Sequence, residues 1–385
     1  MTAKKSAPSI IRALVNVSAD VIGLVELGLA IGWETACRLT ARLDPRLYSE
    51  RRRIRAVAEG GACRPSQKVA VFVVYSRTRP PAFTTHIIAA LNRRSFNIIV
   101  VSNGGLDRQS RAALLADCCL LIERENVGRD FGGYKDGIRI ALQRFPQLQR
   151  LIIANDSLYF LPGRLDALVE ALDGPEDFIG VSEVFEHHYH VASFLLSFGP
   201  GVVADPEFRR FWQGYRPLAT RMWAILQGEG ELTRRLMAAG HKPHVLFRAQ
   251  QLLPKLRALG ADEREAAMAL FSRPMRQALM SVLSPPSAAV QPSPDGFATA
   301  VVEEVLARNQ MHAAGLAFVK FLGLPLIKRD IVYREQFTLA EIEALASGLG
   351  LPAALQGGII ADLDRRRPPQ RRNVLRRLLY RHGFV

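Results

Sequence analysis

The segment ENVGRDFGGYKDG, at residues 125–137, has the composition of a ligand-binding turn. Its four glycines allow close approach of the backbone, and free amides ahead of a helix favour an anion such as a diphosphate. Arg129 and Lys135 add positive charge, while Asn126, Asp130 and Asp136 can hydrogen-bond sugar or base groups. The spacing matches neither the dinucleotide-binding nor the phosphate-loop pattern, so a tight turn with solvated charges is the alternative.

The segment IIANDSLYF, at residues 152–160, places a carboxylate at the end of an apolar run. Asp156 is a hard oxygen ligand suited to Mg²⁺ or Mn²⁺, and Asn155 and Ser157 could serve as weaker neighbouring ligands. The sequence therefore predicts a metal site at Asp156, Asn155 and Ser157. An Asx-type turn that merely ends a strand is the alternative.

Four strands have to position these segments. Buried apolar runs predict them at Val69–Tyr75, Ile98–Val101, Cys119–Glu123 and Leu151–Ala154. Helical segments separate the runs, and this alternation predicts an α/β domain with a mostly parallel, Rossmann-like sheet and flanking helices. Ligands of such sheets bind beyond the carboxyl ends of the strands, where Ser76, Asn103 and the two segments above are found.

The rest of the chain is predicted to extend this domain. Asp177–Glu183 and Val191–Gly199 are predicted strands, Pro206–Gly230 is predicted to be helical, and further helices are expected near Ala298–Arg308 and Thr338–Ala346. The predicted divisions are a helical N-terminal extension (1–68), an α/β domain (69–282), a Pro/Ser-rich linker (283–296), a helical C-terminal part (297–364) and a basic tail (365–385).

The formal charge of the 385-residue chain, +15, is concentrated at its two ends. Residues 1–68 carry +6 and residues 365–385 carry +8, which leaves +1 for the long central part. A protein that grips a nucleic acid along its body needs a basic face there. The distribution argues against a nucleic-acid partner and suggests that the charge determines where the protein sits.

Both ends have amphipathic patterns. Charged residues interrupt the apolar stretch 10–33, which is too broken to span a bilayer, and no signal-peptide cleavage site follows it. It predicts a helix that either packs on the main domain or lies in a membrane interface. The eight arginines of 365–385 are expected to bind an anionic membrane surface at roughly 1 kcal/mol each. A solvated tail or RNA binding would look the same in sequence.

Four cysteines, at positions 37, 63, 118 and 119, lack the spacing of a metal site or a redox motif. We expect them to be unpaired, as in a reducing cytosol.

Several segments together resemble the rhamnan synthesis protein F family of bacterial polysaccharide-assembly proteins. They are IIVVSNGGL, RENVGRDFGGYKDGI, LIIANDSLYF, DFIGVSE, YHVASFLLSF, FRRFW and GLPLIKRD, in consistent order between about residues 69 and 335. The resemblance implies the A-type glycosyltransferase fold and transfer of a sugar, often rhamnose, from a nucleotide donor such as dTDP-rhamnose or a GDP-sugar. The acceptor would be a growing surface polysaccharide, such as lipopolysaccharide, or a lipid-linked glycan.

The resemblance also assigns roles to residues of this chain. Together with the strand-end positions, it implies that the donor is bound by Ser76, Asn103, Asn126, Gly128, Arg129, Asp130, Gly133, Tyr134 and Lys135. His190, Ser193, Lys328 and Arg329 lie in matched segments and are expected to contact substrate. Asp156 is the expected catalytic metal ligand, with Asn155 and Ser157 beside it.

A catalytic base must also be present if the transfer inverts the sugar, because the acceptor hydroxyl loses a proton. Glu183, at the end of the DFIGVSE strand, is the first choice and Glu186 the second. The sequence therefore predicts a glycosyltransferase of the bacterial envelope, cytoplasmic and held peripherally on the inner face of the plasma membrane. A non-catalytic nucleotide-sugar-binding or scaffold protein that keeps the fold is the alternative.

Overall fold

The structure is a computed structural model, and it describes residues 25, 28–29, 31–33, 35–41, 43–75, 82–186, 188–283, 293–346, 348 and 352–366. The predicted donor-binding Ser76, the basic tail beyond Arg366 and most of the N-terminal stretch therefore lie outside the described residues. No helix within the described ranges is long and apolar enough to cross a membrane.

An eight-stranded sheet forms the centre of the molecule, in the order β1-β4-β3-β2-β5-β10-β7-β11. Its strands are β1 (Ile54–Glu59), β2 (Lys68–Val74), β3 (Asn97–Ser102), β4 (Leu120–Arg124), β5 (Arg150–Asn155), β7 (Phe178–Gly180), β10 (Leu195–Phe198) and β11 (His244–Val245). Strands β4, β3, β2 and β5 are parallel, and β10 runs antiparallel to both β5 and β7. The sheet is therefore mostly parallel, and β1 and β10 run against its other strands.

The four predicted parallel strands are confirmed, and their burial explains their apolar sequences. Every residue of β3 and β5 is buried, because helices cover both faces of the sheet. The predicted strand Asp177–Glu183 is divided between β7 and the short β8 (Glu183–Val184). The strand expected at Val191–Gly199 is likewise divided between β9 (His190–Val191), which pairs with β8, and β10.

Strand β1 was not predicted from the sequence, which assigned residues 1–68 to a helical extension. It pairs antiparallel with β4 at the edge of the sheet, and its residues alternate between half-buried and exposed. Such an edge strand buries too little apolar surface to produce a continuous hydrophobic run.

Helices of eight or more residues flank the sheet. They are α1 (Ala82–Arg93), α2 (Arg108–Asp117), α3 (Arg129–Arg144), α4 (Leu165–Leu172), α5 (Pro206–Gly214), α6 (Glu231–Ala238), α7 (Ala261–Met268), α8 (Arg273–Leu283), α9 (Pro294–Leu306), α10 (Leu339–Ala346) and α11 (Ala353–Arg365). The predicted helix Pro206–Gly230 is interrupted after α5 and resumes as Arg221–Trp223, followed by the π-helix Ala224–Gly230. Strand β12 (Leu326–Lys328) pairs with β6 (Leu158–Phe160), directly after the predicted metal segment.

The C-terminal helices share a core with the sheet. One apolar cluster joins Phe72 of β2 and Ile152 of β5 to Val301 of α9 and Leu363 of α11. Helix α9 begins at Pro294, capped by the Ser293 side chain, so it starts inside the predicted linker. Residues 297–364 are therefore packed against the α/β part as one body.

The expectation that all cysteines are unpaired is wrong for one pair, because Cys63 and Cys119 form a disulfide. The loop after β1 folds back on the start of β4, where the amide of Gly60 donates to the carbonyl of Cys119. This contact brings the two Cα atoms to 4.3 Å across 56 residues of sequence. Proximity of this kind depends on strand pairing, which cysteine spacing does not reveal.

Candidate active site

A cavity of about 510 Å³ opens at the carboxyl ends of the parallel strands, beside the point where the chain order reverses between β2 and β5. This is where open α/β sheets bind ligands. The cavity is lined by Arg129, Asp130, Phe131, Asn155, Ser157, Val184, Glu186, His190, Ala192, Ser193, Phe194, Arg221, Met222, Ala224, Ile225, Glu229, Asn309, His312, Lys328, Asp330 and Arg334.

The structure brings seven of the predicted site residues together in this cavity. They are Arg129, Asp130, Asn155, Ser157, His190, Ser193 and Lys328. Nine others do not line it: Asn103, Asn126, Gly128, Gly133, Tyr134, Lys135, Asp156, Glu183 and Arg329. The predicted site residues are thus of two kinds: seven face the cavity, and nine lie outside its lining.

The glycine-rich segment begins α3 and aims its first residues at the cavity. Gly128 caps the helix with φ +79°, and a Cβ there would lie 2.2 Å from Cβ of Pro217. Both the backbone angle and the close contact require glycine. Arg129 follows, also with positive φ, and its Nε donates to the carbonyl of Ala219 at 2.8 Å.

Further along α3, the predicted donor-binding residues make structural contacts. A Cβ on Gly133 would lie 2.8 Å from both γ-carbons of Val73, so this glycine lets the helix pack closely on β2. The buried Tyr134 donates from its hydroxyl to the carbonyl of Ser193, and Lys135 donates to the carbonyls of residues 213 and 215.

Asn103 and Asn126 also lie apart from the cavity. Buried Asn103 donates to the carbonyl of Arg129 and accepts from Arg124, which fixes the start of α3. Asn126 is exposed at the preceding turn. For the glycines of the same segment, close packing of helix α3 replaces the ligand approach that the sequence suggested, as the contact between Gly133 and Val73 shows.

The polar groups of the predicted metal segment are engaged within the protein. Asp156 accepts from the amide of Tyr75 at 3.1 Å, and its other neighbour is the guanidinium of Arg329, 3.6 Å away. Asn155 donates to Asp130 at 2.8 Å, while its own oxygen accepts from both the amide and the hydroxyl of Ser157.

This arrangement does not fit a divalent cation. Asn155 and Ser157 satisfy each other as in an Asx-type turn, and the positive charge of the Arg329 guanidinium, 3.6 Å from Asp156, disfavours a divalent cation beside this carboxylate. Among the described residues, no cluster of three or more His, Cys, Asp or Glu side chains is arranged to hold a metal ion.

Asp130 is the cavity carboxylate nearest to the metal segment. Burial raises its pKa to about 6, and the negative charge of Asp156 adds to the shift. Asp130 therefore titrates close to neutral pH and can exist in either protonation state under physiological conditions.

Glu183, the first choice for the catalytic base, does not line the cavity. It is buried beside Tyr189 and lies 3.9 Å from Arg248, while the next residue of β8, Val184, faces the cavity. Successive strand residues point to opposite faces, which separates the two. Glu186, the second choice, is exposed and does line the cavity.

A carboxylate that the sequence analysis missed, Glu229, faces the cavity from the π-helix. One of its oxygens accepts from the Ser193 hydroxyl at 2.7 Å, and the other lies 3.2 Å from Nε2 of His190. Burial opposes its ionisation, but the hydrogen bonds and charge of His190 outweigh this and lower the pKa of Glu229.

The His190 ring is held as the partner of this carboxylate. Its Nδ1 lies 3.0 Å from the carbonyl of His188, and burial by itself would disfavour the imidazolium. The hydrogen bond and charge of Glu229 prevail, so the pKa of His190 is raised. The two shifts agree on a Glu229–His190 ion pair.

Three cations, Arg129, Arg221 and Lys328, face the same cavity without a carboxylate partner in hydrogen-bond contact. Within the described part of the chain, the side chain of Arg221 makes no hydrogen bond or ion pair, and burial lowers its pKa to about 10. Lys328 donates to the Ser157 hydroxyl at 3.3 Å and lies 4.6 Å from the ring centre of Phe194. Burial also lowers the pKa of Lys328.

The remaining charges on this side of the cavity compensate each other. Asp330 accepts from Arg334 and lies 2.9 Å from Nε2 of His312. Burial opposes the ionisation of Asp330, but these two partners hold its pKa well below its usual range.

Arg329, the neighbour of Lys328 in sequence, is a wall residue. It is buried against the rings of Phe83 and Tyr159, pairs with Asp362 of α11 and donates to the carbonyl of Asp156. It thereby ties the C-terminal helix to the end of β5.

Little in the amino-acid sequence indicates the site residues that were missed, which are Arg221, Glu229, His312, Asp330 and Arg334. They lie on short helical turns and loops far apart in the chain, and only folding gathers them. Asp330 belongs to the matched motif GLPLIKRD, in which only Lys328 and Arg329 were expected to contact substrate.

Comparison with known proteins confirms the family resemblance for part of the chain. The model of the rhamnan synthesis protein F family, RgpF, matches residues 98–262. That range includes Arg129, Asp130, His190 and Glu229, whereas the cavity residues from Asn309 onwards lie outside it.

One curated relative and one solved structure complete the comparison. The uncharacterized protein y4gN of Sinorhizobium fredii (strain NBRC 101917 / NGR234) is 28% identical over 165 residues, or 42% of this chain. The match spans only 43% of that relative's length. The crystal structure of a glycosyltransferase involved in the glycosylation of the major capsid of PBCV-1 aligns with a TM-score of 0.32 and 10% identity, covering 47% of this chain and 84% of that one.

Proposed function

We propose that this chain is a glycosyltransferase that moves a sugar from a nucleotide donor to an acceptor hydroxyl. One observation carries the proposal. The cavity beside the switch in strand order between β2 and β5 combines an ionised carboxylate, Glu229, with three cations that have no carboxylate in hydrogen-bond contact. A carboxylate suits removal of a proton from the acceptor, and the cations suit a diphosphate leaving group.

In the proposed reaction, the acceptor oxygen attacks the anomeric carbon of the donor sugar. The bond between that carbon and the phosphate oxygen breaks, and its electron pair leaves with the nucleoside diphosphate. Glu229 accepts the proton of the acceptor hydroxyl. His190 and Ser193 orient the carboxylate through the contacts described above, so we assign them as positioning residues.

The family match supports rhamnose as the transferred sugar, with dTDP-rhamnose or a GDP-sugar as donor. The acceptor would be a growing cell-surface polysaccharide, such as lipopolysaccharide, or a lipid-linked glycan. Support for this finer assignment is the match to the rhamnan synthesis protein F family over residues 98–262.

A position on the cytoplasmic face of the plasma membrane would bring the enzyme to a lipid-linked acceptor. Large apolar side chains are exposed near the N-terminus, including Leu29, Ile31 and Trp33. Closer to the domain, the guanidinium of Arg38 packs over the ring of Trp223 at 5.0 Å. Arg38 therefore attaches the described part of this segment to the domain, while Leu29, Ile31 and Trp33 remain available to a bilayer.

The activity is tested by incubating the purified chain with dTDP-rhamnose, GDP-sugars and UDP-sugars, in parallel samples with EDTA and with Mn²⁺. Release of the nucleoside diphosphate is measured by chromatography, and transfer to a lipid-linked glycan acceptor is measured by mass spectrometry. Turnover of one donor class supports the proposal. Binding of a donor without turnover, with acceptor present, would instead favour the non-catalytic binding protein.

Membrane association is tested separately by sedimentation with vesicles. Substituting both Leu29 and Ile31 by Glu, or removing residues 367–385, is expected to reduce binding to vesicles containing anionic lipid. Equal binding of all three proteins would contradict the proposed location while leaving the enzymatic proposal intact.

A further inference from the structure

Three of the cations that line the cavity, Arg129, Arg221 and Lys328, have no carboxylate in hydrogen-bond or ion-pair contact among the described residues. Asp330 is compensated by Arg334 and His312, and Glu229 by His190. The side chain of Arg129 donates to a neutral carbonyl oxygen, and that of Lys328 donates to a neutral hydroxyl oxygen. The side chain of Arg221 has no hydrogen-bond partner within the described residues. Asp130 and the exposed Glu186 are the other carboxylates of the lining, and within the described residues neither forms an ion pair with these three cations.

Holding these cations so close together is unfavourable unless an anion joins them. Burial disfavours the charged form of both Arg221 and Lys328, and the positive charge of Arg334 acts in the same direction, whereas the carboxylates of Asp330 and Glu229 act against it without contacting either side chain. Desolvated charges without partners cost free energy, and evolved interiors normally pair them. Three cations without a contacting carboxylate therefore favour a bound anion as their partner.

Helix α3 contributes to the same attraction. Its first residues, Arg129 and Asp130, line the cavity, so the N-terminal end of a 16-residue helix is directed towards it. The unpaired amides and the dipole at such an end favour negative charge.

The residues expected to hold a divalent cation provide the second observation. The side chains of Asn155 and Ser157 bond each other, and Asp156 faces the amide of Tyr75 and the guanidinium of Arg329. In nucleotide-sugar chemistry a bound metal ion would neutralise the leaving diphosphate. Here the donor set for that ion does not fit, while fixed cations stand around the cavity.

Building on the proposed glycosyl transfer, we propose that Arg221 and Lys328, assisted by Arg129, bind the donor diphosphate and neutralise it as it leaves, in place of a divalent metal ion. Guanidinium and ammonium groups donate charge-assisted hydrogen bonds to phosphate oxygens. When the anomeric C–O bond breaks, the negative charge that develops on the terminal phosphate oxygen is stabilised by these side chains. The transfer therefore proceeds without added Mg²⁺ or Mn²⁺.

Calorimetric titration of the full chain with inorganic pyrophosphate in EDTA tests the binding step. Wild-type protein is expected to bind, and Arg221→Met and Lys328→Met are each expected to weaken binding about 10- to 100-fold, the effect of losing one charge-assisted hydrogen bond. Arg93→Met is the matched control, because Arg93 is exposed and pairs with Asp166 outside the cavity. Thermal unfolding of each variant verifies that it is folded.

The results separate this inference from the proposed function. Pyrophosphate that binds only in the presence of Mn²⁺, or that binds Arg221→Met and Lys328→Met as tightly as wild type, overturns the inference. Donor turnover that EDTA abolishes and Mn²⁺ restores also overturns it, while the proposed transferase activity stands. Binding in EDTA that depends on both cations, without turnover of any sugar nucleotide, supports the inference and contradicts the proposed activity.

Discussion

Replacing Glu229 by Gln removes the proposed catalytic base while preserving its shape. The Gln oxygen can still accept from Ser193, and its amide can donate to Nε2 of a neutral His190. Hydrogen bonds from His190 and Ser193 lower the pKa of Glu229, so the native carboxylate is ionised at pH 7, which is the form that a general base requires. The substitution therefore removes the proton acceptor with little change in geometry.

The expected loss is large. A positioned general base contributes about 10²- to 10⁴-fold to the rate, which corresponds to about 3 to 5 kcal/mol of barrier. We expect Glu229→Gln to lower kcat by that factor while pyrophosphate affinity changes little. The pKa of His190 is expected to fall, because its raised value depends on the Glu229 carboxylate.

Steady-state donor turnover with acceptor measures the first effect, and NMR titration of the histidine rings measures the second. Glu183→Gln and Glu186→Gln provide the comparison, since the sequence favoured those two positions. If Glu229→Gln keeps kcat within threefold of wild type, or if Glu186→Gln loses the 10²-fold instead, the assignment of the base is wrong.

Three further predictions concern stability and redox state. Asp130→Asn is expected to stabilise the fold at pH 7.5 but not at pH 4, because the raised pKa imposes a penalty that grows from about pH 4 and is complete above pH 6. A shift of the Asp130 pKa from 3.8 to about 6 corresponds to at most about 3 kcal/mol of unfolding free energy. Equal effects of Asp130→Asn at the two pH values, measured by urea unfolding, would contradict this prediction. Asp136→Asn is expected to lower the free energy of unfolding by about 3–5 kcal/mol in the same assay, because this buried carboxylate forms ion pairs with both Arg53 and Arg124. A decrease below about 1 kcal/mol would contradict a stabilising role for these two ion pairs. The Cys63–Cys119 disulfide is expected to protect both cysteines from alkylation during cell lysis without reductant, and labelling of Cys63 under those conditions would contradict the pairing.

The central fold could be predicted because its signals are local. A strand buried on both faces must be apolar throughout, and β2, β3, β4 and β5 each show such a run. Edge strand β1 lacks this requirement, and its pairing with β4 depends on a partner more than sixty residues away. The Cys63–Cys119 disulfide depends on the same long-range pairing, so the spacing of the cysteines in the sequence did not predict it.

The site was only partly predictable, for two physical reasons. Glycines that permit close packing and glycines that admit a ligand look alike in sequence, so Gly133 was read as donor-binding although it packs on Val73. Side chains on a short strand alternate between faces, so Glu183 and Val184 could be separated only once β8 was seen. Arg221 and Glu229 became recognisable when folding placed them opposite Lys328.

The central claim is that this cavity binds the diphosphate of a sugar nucleotide. A crystal structure of the full chain with a bound nucleoside diphosphate, grown in EDTA, tests it most directly. We predict phosphate oxygens within about 3 Å of the Arg221 guanidinium and the Lys328 ammonium, with Glu229 facing the space left for the sugar. A diphosphate bound elsewhere, or one that contacts neither cation, would contradict the claim.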